Sequence, residues 1–159
     1  MEGLDKYKKV WYNYIMDKLR DTQRSKVYHA ERVIHHHGKQ FKNMEEVDAY
    51  VIRICKTAFW KKLHGAYHIE IKDGRGRRRA CAFNWGTIAL PRWARQEAII
   101  LHELAHTLVN FDNYNFTAWH GKEFVKTYLL LVKRFMGKEE HAKLKTSFKE
   151  NHVHYTVRA

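Results

Sequence analysis

Apolar positions along the chain follow two different periods. Over residues 4–19, 26–36 and 44–63 they recur every three or four residues, the spacing of helices that bury one face. In the third stretch Val47, Val51, Ile54, Cys55 and Phe59 form the stripe, and Gly38 is placed to end the second. The period then drops to two. Tyr67-His68-Ile69-Glu70-Ile71-Lys72 alternates, Asp73-Gly74 signals a turn, residues 79–83 resume as strand, and Asn84-Trp85-Gly86 turns into Thr87–Leu90. The single proline, Pro91, predicts the start of a helix, because its fixed φ and missing N–H suit a first turn. The apolar run 98–109 continues that helix. After a polar loop, 110–115, a further helical pattern carries Phe124, Tyr128, Leu131, Val132 and Phe135, and Gly137 separates it from a last helix over 138–149. No repeat or low-complexity linker interrupts the chain, so residues 1–159 read as one α+β domain: N-terminal helices, a small antiparallel sheet, then the helices that follow it.

The run 98–109 contains His102-Glu103-Leu104-Ala105-His106. On a helix the two histidines share a face one turn apart, so both imidazoles can reach one zinc ion and Glu103 can reach a water bound to it. With 12 His in the chain, a shuffled sequence of this composition holds H-E-x-x-H with a probability of roughly 0.06, so the pattern alone does not decide the matter. Its surroundings do. Ile99, Ile100, Leu101, Leu104, Ala105 and Leu108 bury the rest of the helix, and polar groups set among them cost free energy unless paired or metal-bound. A zinc ion that does chemistry takes a third protein ligand and keeps a fourth position open. Asp112, His120, Glu123 and His141 follow the helix. Asp112 stands at the spacing that metzincins use, but Val109 occupies the position where those proteins turn at glycine, and a β-branched residue suits that turn poorly. His120 heads His120-Gly121-Lys122-Glu123-Phe124, the first turn of a helix that can fold back to the metal. Glu123, one turn further on, is the alternative ligand or a group that orients His120, since three-histidine and two-histidine-carboxylate sites both serve zinc hydrolases.

Together, His102-Glu-Leu-Ala-His106 and His120-Gly-Lys-Glu-Phe124 resemble the H-E-x-x-H and H-G-x-E-F signature of SprT-like zinc metalloproteases, the group that includes Spartan. Over most of its length the chain is similar to a metallohydrolase family of actinobacteria and their phages, named for its motif rather than for a demonstrated reaction. Residues 74–79, 88–95, the zinc helix, His120–Phe124 and 134–137 carry that similarity. Lys122 departs from it, because both families commonly have proline there. The resemblance implies a zincin-like fold, a Zn2+ cofactor, peptidase activity, a third ligand at His120 and a general base at Glu103. As in zincins generally, it also implies an edge strand beside the metal helix that binds the substrate backbone, and Thr87–Leu90, last before that helix, is the expected one.

The chemistry follows from the ligand set. Zinc held by neutral imidazoles keeps its charge, lowers the pKa of bound water and polarises a carbonyl oxygen, while Glu103 takes the proton and passes it to the leaving amine. Tyr128, Tyr114 and Arg95 are candidate donors to the developing oxyanion.

Charge adds a second expectation. Thirty Lys and Arg against 17 Asp and Glu give +13, and a pI near 9.8 suggests an anionic partner, nucleic acid before membrane. Arg75, Arg77, Arg78 and Arg79 concentrate this charge on a hairpin whose glycines allow close approach to phosphates, which predicts DNA or RNA contact beside a protein or peptide substrate. The competing function class is a non-catalytic basic nucleic-acid-binding module with a structural zinc. Such a site is normally closed by a fourth Cys or His, none is evident near the motif, and Glu103 has no structural use, so the enzyme is favoured. The chain opens without an apolar run of signal-peptide type and holds nothing near membrane-span length, so a cytoplasmic protein is expected. Cys55 and Cys81 lack C-x-x-C spacing and read as reduced, packed thiols. His35-His36-His37 with His29, and His152 with His154, read as exposed, because consecutive helical residues point in different directions.

Overall fold

The computed structural model describes residues 8, 10, 20–111 and 117–155. The helical pattern of residues 4–19, apart from those two positions, lies outside the described residues, as do Asp112 and Tyr114. Within them the chain is mixed α+β. It runs α1 (Arg24–Glu31), a 3-10 turn (Arg32–Ile34), α2 (Met44–Lys56), α3 (Ala58–Lys62), β1 (Glu70–Asp73), β2 (Cys81–Asn84), β3 (Thr87–Leu90), a 3-10 turn (Arg92–Ala94), α4 (Glu97–Val109), α5 (Lys122–Phe135) and α6 (Lys138–Glu150).

Side-chain hydrogen bonds set several of these boundaries. Asn43 Oδ1 accepts the Glu46 N–H at 2.9 Å while Glu46 Oε2 accepts the Lys42 N–H at 2.9 Å, a reciprocal cap that starts α2. The single stripe read over 44–63 is in fact two helices, divided at Thr57. Its hydroxyl donates to the Ile54 carbonyl at 2.7 Å and accepts the Trp60 N–H at 3.1 Å, closing one helix and capping the next.

The sheet corrects two expectations. Its order is β1-β3-β2, with β1 parallel and β2 antiparallel to β3, so it is mixed rather than antiparallel. Thr87–Leu90 is its centre and not an edge. All four residues of β3 are buried, and a short run without polar alternation is what a strand covered on both faces shows. The edge that packs against α4 is β2, which bulges between Ala82 and Asn84. Residues 74–80 are consequently no hairpin turn. They cross from the β1 edge to the β2 edge, and Gly74 permits the start of the crossing: its N–H donates to the Leu90 carbonyl at 2.9 Å, and a Cβ there would lie 2.6 Å from Pro91 N.

Pro91 opens the 3-10 turn and not the metal helix. Gln96 remains extended and forms a β-bridge with Gln40, so α4 begins at Glu97. The Glu97 carboxylate is buried and accepts from Lys39 N–H at 2.9 Å, Lys39 Nζ at 3.1 Å and Tyr50 Oη at 2.7 Å, which fastens the start of α4 to the preceding chain. From there to Thr107 every residue of α4 is buried, packed on β2, β3 and α5; α5 packs on α6, and α6 on α1. Ile100, Leu101 and Leu104 join Trp60, Phe124, Val132 and Phe148 in one hydrophobic cluster. Among the described residues no helix is long and apolar enough to cross a membrane.

Candidate metal centre

Helices α4 and α5 run antiparallel, as three pairings along them show. His120, just before α5, meets His106 at 4.8 Å between ring centroids, Phe124 meets His102 at 4.8 Å, and Tyr128 donates to the Ala98 carbonyl at 3.1 Å. The antiparallel pairing thus returns His120 to the H-E-x-x-H face; most of the polar loop read over 110–115 lies outside the described residues. One ring nitrogen from each of His102, His106 and His120 lies within 4.8 Å of the others, and all three residues are buried. These three histidines can hold a metal ion.

The opposite ring nitrogens decide which atoms face the shared point. His102 Nδ1 meets Glu31 Oε2 at 2.6 Å, and His120 Nδ1 meets Asp21 Oδ2 at 2.7 Å. Carboxylate oxygens only accept, so both Nδ1 atoms carry the hydrogen. His106 Nδ1 meets Asn110 Oδ1 at 2.6 Å, and that amide is oriented by its own NH2 donating to Thr117 Oγ1 and the Ala118 carbonyl, each at 3.2 Å. Every Nδ1 is therefore a donor, and each neutral imidazole turns an Nε2 lone pair inward. The Nε2 atoms of His102 and His106 stand 3.1 Å apart, and that of His120 is buried with no hydrogen-bond partner among the described residues. Converging lone pairs repel unless a cation lies between them, so the donor set fits a divalent ion, with Glu31, Asn110 and Asp21 fixing the tautomers as outer partners do in metal sites.

Protonation agrees with this arrangement at His106 and His120, while Glu31 favours the proton on His102. Burial, with His102 nearby, holds His106 well below the ordinary histidine range and lowers His120 to about 4, so both offer lone pairs near neutrality. Burial would lower His102 and raise Glu31, but their mutual attraction and hydrogen bond win in both: His102 shifts upward, and Glu31, helped by His35, falls to about 2. Glu103 behaves differently. Burial pushes its carboxyl up to about 7 against the pull of His102, with the Ala82 backbone of β2 also lowering it.

Glu103 and Tyr28 line two adjoining recesses of about 350 and 260 Å3. Arg32, Arg78, Arg79 and Trp93 border the first, and Cys81, Ala82, His106, Trp119 and His120 the second. Tyr28 stacks on His102 at 5.5 Å and 11° and meets His120 edge-on at 5.0 Å, forming the ridge between the two recesses.

His102, Glu103, His106 and His120 are thus brought together. Glu123 is not, since it sits at the exposed start of α5, 4.0 Å from Lys122 Nζ, and His141 lies on α6 outside the cluster. The Tyr128 hydroxyl is committed to Ala98, and Arg95 faces Asp73 at 3.7 Å. The four arginines divide. Arg75 pairs with Asp73 at 3.7 Å and Arg77 lies over Phe83 at 4.8 Å, whereas Arg78 and Arg79 line the larger recess, Arg79 at 5.6 Å over Tyr28. Sequence reasoning missed Tyr28, Glu31, Asp21 and Asn110. Only Asn110 carried a local signal, four residues after His106; Glu31 and Asp21 are 71 and 99 residues from their histidines. No family model matches the chain, and comparison with curated proteins and with solved structures finds no match either.

Proposed function

We propose that this protein is a zinc-dependent metallohydrolase of SprT-like, zincin type that cleaves peptide bonds, with His102, His106 and His120 as ligands and Glu103 as general base. The observation that carries the reading is the convergence of three Nε2 lone pairs beside a buried carboxylate at the floor of an accessible recess. Three imidazoles are the donor set and number that a hydrolytic zinc uses, leaving one position for the reacting molecule. Zinc bound there supplies a lowered pKa for water and a polarised carbonyl oxygen.

The chain's own groups do the rest. Glu103 accepts the proton that the attacking water gives up and returns it to the leaving nitrogen. Strand β2, which among the described residues pairs only with β3, offers its outer edge to an extended substrate backbone, the role expected of Thr87–Leu90. Tyr28 stacked on His102 keeps water from one face of the ring.

Metal analysis and cleavage of a mixed peptide library test the proposal together. The purified protein is expected to carry about one zinc per chain, and His102→Ala, His106→Ala and His120→Ala each to lose most of it. Glu103→Gln keeps the metal and loses hydrolysis by several orders of magnitude. Unchanged turnover in Glu103→Gln overturns the base assignment, and a zinc-loaded native chain that cuts no peptide overturns the peptidase reading.

A further inference from the structure

The larger recess beside Glu103 is built with opposite charges at different depths. Its inner wall includes Glu31 and Glu103, each 4% exposed, with the Glu31 carboxylate turned toward His102. Its mouth is Arg32, Arg78 and Arg79, all exposed, with Trp93 at the rim. Among the described residues none of these guanidinium groups is paired with a carboxylate, although Arg75 and Arg95 share Asp73 close by. Arg79 is also held in place, over the Tyr28 ring at 5.6 Å, so part of its conformational freedom is already lost before anything binds. A volume of about 350 Å3 accommodates one side chain and its flanking backbone.

From this geometry we infer that the recess is a specificity subsite for an acidic side chain of the substrate, so that the chain cuts beside Asp or Glu. The inference rests on the peptidase reading and deepens it. A planar guanidinium fork matches a carboxylate in two parallel hydrogen bonds, and two or three such forks around one mouth favour an anion over a neutral isostere of the same shape. A lysine or arginine side chain would meet those forks first and be repelled, which makes the selection two-sided.

The test separates binding from cleavage. Blocked peptides differing only in Glu, Gln or Lys, placed in turn at each central position, are titrated into metal-loaded Glu103→Gln protein at physiological salt. The expected result is about ten-fold tighter binding of the Glu peptide than of its Gln counterpart at one position, with the Lys peptide weakest. Combining Arg78→Ala with Arg79→Ala should erase that difference. Combining Lys145→Ala with Lys149→Ala, which removes the same charge from exposed positions of α6, should preserve it. Equal binding of Glu and Gln peptides, or a preference that survives the arginine pair or vanishes with the lysine pair, overturns the inference. Cleavage by the chain with Glu103 intact is followed in parallel. Selective binding without any cleavage upholds the subsite and overturns the peptidase reading; cleavage without acidic selectivity overturns the subsite alone.

Discussion

Glu31 meets His102 Nδ1 at 2.6 Å and Asp21 meets His120 Nδ1 at 2.7 Å, so removing either charge leaves an imidazole with a weaker acceptor and a less basic inward nitrogen. Glu31→Gln and Asp21→Asn are each expected to weaken metal binding by about ten- to a hundred-fold, measured by competition with a chromophoric chelator, while the circular dichroism stays native. Glu123→Gln is expected to leave affinity unchanged, because Glu123 lies outside the cluster; a loss as large as that in His120→Ala would restore it as a ligand. The inward-facing atoms could be read from the chain because H-E-x-x-H is local: two histidines one helical turn apart share a face whatever surrounds them. Their outward partners could not. Nothing about Glu31, in a sparse helical pattern, or Asp21, before the helix begins, distinguishes them from solvated acids until the fold closes distances of 71 and 99 residues.

Within the described residues the kind of each element follows from periodicity, but element ends and neighbours depend on interactions that periodicity does not carry. Thr57 fits an apolar stripe as well as any threonine, yet its hydroxyl serves two helices. Thr57→Ala is expected to cost about 1 kcal/mol, read by urea unfolding. Pro91 suits a first turn, but the bridge between Gln96 and Gln40 delays the helix to Glu97. For β3 the signal was present, an unbroken buried run, and its position just before the metal helix suggested an edge instead. The start of α4 provides a sharper test. A Cβ on Gly38 would stand 2.4 Å from Glu97 Oε2, and that carboxylate is pinned by Lys39 and Tyr50. Gly38→Ala is expected to break one of these buried bonds and destabilise the fold by about 1–3 kcal/mol, lowering the melting temperature. A neutral result would mean that Glu97 shifts without loss.

The sum of charge, +13, could be read directly; where it acts could not, because the crossing of residues 74–80 is a property of strand order. Arg75, with its side chain 91% exposed, and Arg77 stand apart from the recess that Arg78 and Arg79 border. If nucleic acid is a partner, Arg75→Ala with Arg77→Ala should flatten the salt dependence of DNA binding by up to about 0.9 per lost phosphate contact and leave zinc content and peptide cleavage intact. Absence of salt-sensitive binding to DNA or RNA at low ionic strength would remove that partner and leave the charge to an acidic protein substrate or to solubility alone. Metal removal should be felt throughout the molecule. Chelation is expected to lower the melting temperature, and free zinc at a hundred times its Kd to restore about 2.7 kcal/mol, followed by calorimetry.

The pairing of Asp21 with His120 and of Glu31 with His102 also has a meaning in time. During synthesis the two carboxylates leave the ribosome long before their histidines, and the third imidazole emerges after most of the core has been made. A fully oriented metal centre therefore cannot exist on a nascent fragment that ends before His120, so tight metal capture waits until the whole of α4 and the chain that follows it have been made.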